Sequence, residues 1–164
     1  MAKASKTAAP KKVSTQKTVP QKSKPAKSET GIKYSDKSGD QPELIPVFNE
    51  IKKLLLPYGK GKIIVRGGTG GQMTLVSEHP VEIEGKMRNE WWFAAALIQR
   101  GYVGFYFMPV KTDKEKKEVF KPELLKCLKG KSCFHIKKMD ATMSKQIEEA
   151  LEKGYDACRK RGLV

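Results

Sequence analysis

A chain of 164 residues has room for one domain of ordinary size and not for two comfortable ones. Three cysteines exclude a disulfide-stapled miniprotein, and the lack of any run of about 18 uncharged apolar residues excludes a membrane-spanning helix. The net charge of +15 and an apolar content of 38%, under the roughly 45–50% usual for globular chains, point to a chain that is not folded uniformly.

Residues 1–40 carry ten lysines against three acids, a net +7, while the other 124 residues hold 23 basic and 15 acidic side chains, +8. Lys3, Lys6, Lys11, Lys12, Lys17, Lys22, Lys24 and Lys27 are interleaved with Ser, Thr, Pro, Ala and Gln. Such a segment cannot bury enough apolar surface to offset an ordering entropy of about 1–2 kcal/mol per residue, so 1–40 is predicted to be a disordered Lys-rich tail. It lacks the apolar stretch of a secretory signal, and no Arg precedes Arg66 as a mitochondrial leader would require. Together with an odd number of cysteines this predicts a cytoplasmic protein with reduced thiols. Clustered lysines attract polyanions by counterion release, which makes nucleic acid the expected partner; the alternative is a tail that only solubilises.

From 41 to 164 the pattern predicts a single α+β domain, an antiparallel sheet of about five to six strands flanked by N- and C-terminal helices. Asp40 and Pro42 read as N-cap and first-turn proline of a helix over 42–56, with Leu44, Val47, Phe48, Ile51, Leu54 and Leu55 at helical spacing and Pro57 as its stop. A β-branched strand at 62–66 runs into Gly67-Gly68-Thr69-Gly70-Gly71, and 72–76 is its return strand. Val81 and Ile83 alternate with Glu82 and Glu84 in a short strand. The apolar runs 91–98 and 102–108, joined by Gln99-Arg100-Gly101, predict a central hairpin, in which Gly104 marks a bulge or a close backbone approach. Residues 111–118 read as a charged loop, 122–128 as a short helix stopped by Gly130, and 132–137 as a last strand. That strand puts Phe134 and Ile136 on one face and Cys133 and His135 on the other. Asp140 caps a final helix that ends in Arg159, Lys160 and Arg161, cations that complement the helix dipole.

Within the domain, three features are candidates for chemistry. RGGTGG (66–71) lacks the Lys-Ser or Lys-Thr of a phosphate-binding loop and reads as a hairpin turn. Arg66, Trp91, Trp92, Tyr106, Cys133 and His135 form a candidate ligand groove on the aromatic hairpin. Glu148, Glu149, Glu152 and Asp156 make an acidic stripe on the last helix, able in principle to bind a hard cation such as iron and otherwise a solvated face laced by lysines. No nucleophile, base and orienting acid assemble from two histidines and three cysteines at these spacings, so the chain is predicted to be non-enzymatic and to need no cofactor.

KIIVR (62–66), KMRNEWWFAAALIQRGYVGFYFMPV (86–110), PELLKCLKGKSCFHIKK (122–138) and KGYDACRKRGLV (153–164) resemble the YdhG-like domain family, whose members are mostly of unsettled function. The resemblance covers 41–164 and implies a compact α+β domain. Some relatives are described as frataxin-like iron chaperones, and a frataxin-like acidic ridge would lie on the first helix and first strand. Here helix 42–56 holds only Glu43 and Glu50 beside Lys52 and Lys53, and strand 62–66 holds no acid; Asp113, Glu115, Glu118 and the stripe at 148–156 are the acids that would have to substitute.

Overall fold

A computed structural model describes residues 34–83 and 85–164. The eight tail lysines named above and Glu84 lie outside the described residues. Pro42 opens a 3-10 turn (Pro42–Leu44) that leads into α1 (Ile45–Leu55), so Pro46 falls in the first turn, where its missing N–H costs nothing. This corrects the expected cap. The N-cap position is Gln41, immediately before Pro42, and its side-chain oxygen accepts the Gly101 N–H instead of capping the helix. Val47, Phe48, Ile51 and Leu55 form the buried stripe of α1, and Pro57 turns the chain out through a second 3-10 turn.

β1 (Ile63–Thr69) and β2 (Gln72–Ser77) make a hairpin around Gly70-Gly71, both with positive φ, and β1 bulges between Gly67 and Thr69. β3 (Val81–Ile83) and β4 (Lys86–Arg88) form a separate two-stranded ribbon; β4 has no apolar alternation and is not anticipated by the pattern. β5 (Trp91–Gln99) and β6 (Tyr102–Phe107) are the expected central hairpin. Residues 111–118, expected as a loop, contain the start of α2 (Asp113–Val119). The Thr112 hydroxyl accepts the Glu115 N–H, and the Glu115 carboxylate accepts the Thr112 N–H, a capping box that starts a helix without an apolar stripe.

α3 (Pro122–Lys126) ends at Cys127, not at Gly130; that glycine, with φ +71°, turns β7 (Leu128–Lys129) back onto β8 (Cys133–Ile136). α4 (Ala141–Lys160) is capped as expected, the Met143 N–H donating to Asp140 Oδ1 at 2.7 Å.

The main sheet is antiparallel, in the order β1-β2-β5-β6-β8-β7. Helices α1, α3 and α4 bury their apolar residues in one cluster on one face of this sheet. A chain of edge-to-face rings runs through it: Phe93 to Phe107 (5.8 Å), Phe107 to Phe120 (5.7 Å) and Phe120 to Phe134 (4.7 Å). Opposite Val76 and Leu75, β5 supplies Trp92, Phe93 and Ala94, and this one-residue bulge lets Phe93 and Ala94 both join the core.

The unit that holds the sheet runs from Tyr34 to Val164, so it takes in residues 34–40, which composition assigns to the tail. Tyr34 Oη–H donates to the Ile98 carbonyl (3.1 Å) and Lys37 Nζ to Gln99 Oε1 (2.8 Å), so this short stretch clamps the β5–β6 turn despite its polar character. No helix among the described residues is long and apolar enough to cross a membrane.

Candidate functional site

The outward face of the sheet is the side away from α1 and α4. In an antiparallel ladder, residues directly opposite one another point the same way. The ladder therefore aligns Arg66, Thr74, Ala95, Tyr106 and Cys133 in one row across five strands, and Gln72, Leu97, Gly104 and His135 in the next. Val76 and Trp92 share a third row, and Tyr102 lies opposite Gln99 at the far end. Five of the six expected groove residues thus share this face. Trp91 does not: as the immediate neighbour of Trp92 on a strand it points the other way, into the core beside Phe93 (6.2 Å between rings).

Gly104 shapes the centre of the face. Its strand pairing is regular on both sides, so it is a close approach and not a bulge. A Cβ placed there would stand 2.9 Å from Tyr106 Cε2 and 3.5 Å from the rest of the phenol edge. With no side chain in the way, the Tyr106 ring leans along its own strand and covers the glycine. Next to it, His135 stacks on Tyr102, ring centres 3.7 Å apart and planes within 13°.

The electrostatics at the two ends of the face differ. At the β1 end, Arg66 bridges Glu90 (2.7 Å) and Glu78, and these bonds, Glu78 first, hold its guanidinium above the ordinary value. Glu90 also accepts the Trp92 indole N–H (2.5 Å). The positive charge of Arg66 is therefore neutralised within the protein. At the β8 end, burial pushes the Tyr106 phenol up to about 12, with the Cys133 thiol beside it adding to the rise. Burial also raises the Cys133 thiol, partly offset by its bond to Tyr106. His135 is shifted down by burial first and then by Lys129 and Lys137. A protonated thiol and a neutral imidazole side by side make a polar, weakly reactive surface rather than an ion pair poised for nucleophilic attack.

Residues 126–138 hold five exposed lysines and no acid; Lys126, at the end of α3, pairs with Glu123 (3.5 Å), and Lys129, Lys131, Lys137 and Lys138 flank β7 and β8. Where β5 begins and β6 ends, next to the β3–β4 ribbon, a cleft of about 520 Å³ opens between Ile83, Trp91, Trp92 and Met108, with Arg88 and Lys131 among its cations.

On α4, Glu148, Glu152 and Asp156 border Tyr58 and raise its phenol, after burial. Lys60 lies over the Tyr155 ring (5.5 Å), and Asp156 is paired with Arg159 (3.1 Å). Glu149 lies on the same helix, partly buried. Among the described residues, no three His, Cys, Asp or Glu side chains converge as a metal would need. Of the acids in 111–118, Glu115 is engaged in the α2 cap and by Arg161 (2.8 Å).

Sequence reasoning missed Tyr102, Arg88, Lys129 and Lys131 as members of this region. Tyr102 and Tyr106 are two strand periods apart and therefore share a face, but placing His135 next to Tyr102 requires the β6–β8 register. Compared with protein-family models, curated proteins and solved structures, the chain matches none.

Proposed function

We propose that this is a non-enzymatic binding protein that associates with nucleic acid or a similar polyanion. The observation that carries this reading is the stretch 126–138 around β7 and β8, with five exposed lysines and no acid. The lysines at 3, 6, 11, 12, 17, 22, 24 and 27 add a further concentration of charge. Each lysine that meets a phosphate releases a condensed counterion, so affinity becomes a function of salt more than of sequence. We further propose kinship with the YdhG-like family, carried by YVGFYFMP and LKGKSCFHIKK; the antiparallel sheet flanked by N- and C-terminal helices supports it.

The test is a titration of the full chain with duplex DNA at several salt concentrations. The logarithm of affinity should fall linearly with the logarithm of salt. Changing the eight N-terminal lysines to Gln should weaken binding and flatten that slope by about 0.7–0.9 for each phosphate no longer neutralised. Binding that ignores salt, or that survives both this change and Lys→Gln at the five positions in 126–138, sinks the proposal.

A second reading rests on the cleft beside Trp92. Its size and its mix of tryptophan edges, Ile83, Met108, Arg88 and Lys131 suit a small amphipathic anion. A thermal-shift screen of aromatic carboxylates and phosphates tests it, and Arg88→Gln should abolish any stabilisation found.

A further inference from the structure

We infer that the β6–β8 part of the outward face is a stacking platform for the unpaired bases of a single-stranded nucleic acid, centred on Tyr102, His135 and Tyr106. The inference rests on the polyanion reading above and adds to it a site and a preference for single strands. Three observations converge.

The first is the attitude of the rings. An aromatic side chain usually stands up from a sheet. Here the missing side chain at Gly104 lets Tyr106 lean over along the strand, and His135 lies parallel to Tyr102. Rings stacked on each other cover their facing sides, so a base would lie against the outer side of the Tyr102–His135 pair or on the Tyr106 ring where it leans over Gly104, every base having a π-face to offer. The second is position. Tyr102, Tyr106, Cys133 and His135 are all partly exposed on the side of the sheet opposite the helices.

The third is charge complementarity. Lys129 and Lys137 lie close enough to His135 to disfavour its protonation, and they stand on the border of the ring cluster. Lys131 lies at the cleft where the same face meets Trp92. The two acids at the opposite end, Glu78 and Glu90, share the single charge of Arg66, which leaves that end net negative and the lysine end positive. A strand crossing the face from the cleft towards Tyr102 would place phosphates along the lysine edge and bases over the rings. Bases locked in a duplex present edges, not faces, and could use only the lysines.

The experiment uses the full chain and fluorescein-labelled oligodeoxythymidine of about 12 nucleotides, within the range of about 4–16 nucleotides typical of such sites, against a duplex of matched length. The single strand should bind more tightly. Tyr102→Ala should weaken single-strand binding by about 5- to 100-fold, as expected for removal of one base stack, and leave duplex binding and its salt slope unchanged. Should Tyr102→Ala fail to fold, Tyr102→Leu keeps the apolar cover and removes the same ring. In a Trp91→Phe background Trp92 is the remaining indole, and its emission should be quenched by the single strand and not by the duplex.

Equal binding of both probes with Tyr102 variants unaffected would overturn the platform while leaving salt-driven association intact. No salt-sensitive binding to either probe would overturn both. Failure of the tyrosine variant to bind either probe, with an unchanged melting temperature, would assign Tyr102 to general electrostatic docking and also refute the preference for single strands.

Discussion

Gly154 lies on the inner side of α4 with the Phe107 ring against its Cα, closer than any side chain would permit. In an exposed helix Gly→Ala gains about 1 kcal/mol of helix propensity. Here the added methyl meets a fully buried ring that is itself held by Phe93 and Phe120, and overpacking of this kind costs about 1–3 kcal/mol. Gly154→Ala should therefore lower the midpoint of chemical denaturation, whereas Phe107→Ala, which leaves a cavity, should cost about 3–5 kcal/mol. A second residue-scale effect follows from His135. Its folded-state value lies below the ordinary 6.5, so between these two values the unfolded chain holds a proton that the folded chain does not. Stability should be highest above about pH 6.5 and decline as pH falls through that window. His135→Phe keeps a ring on Tyr102 and should remove that component of the decline in urea midpoints measured from about pH 7.5 to 5.

At the scale of elements, α2 shows what a helix of seven residues needs when it has almost nothing apolar to bury. Its start is held by Thr112 and Glu115, and Glu115 is tied in turn to Arg161 at the end of α4, whose guanidinium also donates to the Pro109 carbonyl (3.0 Å). Thr112→Ala should cost about 1 kcal/mol, read by thermal melting. The backbone donors of Thr112 and Lys111, and then Arg161, hold the Glu115 carboxyl at about 2. Its contribution to stability is present above the ordinary 4.5 and is lost as pH falls towards 2; Glu115→Gln should flatten acid unfolding in that interval. The same element explains which parts of the fold are legible in the sequence. The β5–β6 hairpin is, because two apolar runs of strand length flank a short glycine turn. So is α4, because Asp140 and an apolar stripe agree. Residues 111–118 look like a loop because lysines and glutamates leave no stripe, and the only remaining signal is Thr-x-x-Glu. β7 is two residues long, too short for any period, and Gly130 reads as a helix stop because the turn it makes depends on β8 pairing back.

Across the whole molecule, the candidate site is legible to the extent that strand alternation reaches. Alternation separates Cys133 and His135 from Phe134 and Ile136, but not which of Trp91 and Trp92 faces the helices; that depends on pairing with β2. The lysine edge is visible as a charge run, yet its position beside Tyr102 and His135 needs the sheet order. The thiols provide a global check. Cys158 is fully buried and its thiol is pushed up to about 12, while Cys127 and Cys133 are half-buried and raised less. Native protein treated with a thiol reagent at about pH 8 should label slowly at Cys127 and Cys133 and leave Cys158 unmodified until denaturant is added, a pattern peptide mapping resolves. The two borders of the sheet are unequal in a way that bears on self-association. On one side β7 offers two residues and a lysine to a would-be partner strand. On the other, β1 offers regular backbone from Ile63 to Arg66, with Ile64 and Val65 exposed, before the Gly67–Thr69 bulge twists the rest away. A sheet with one usable border can pair with a second copy of itself, but each copy then has no such border left. For the main sheet of the described residues, association by this route closes at two chains.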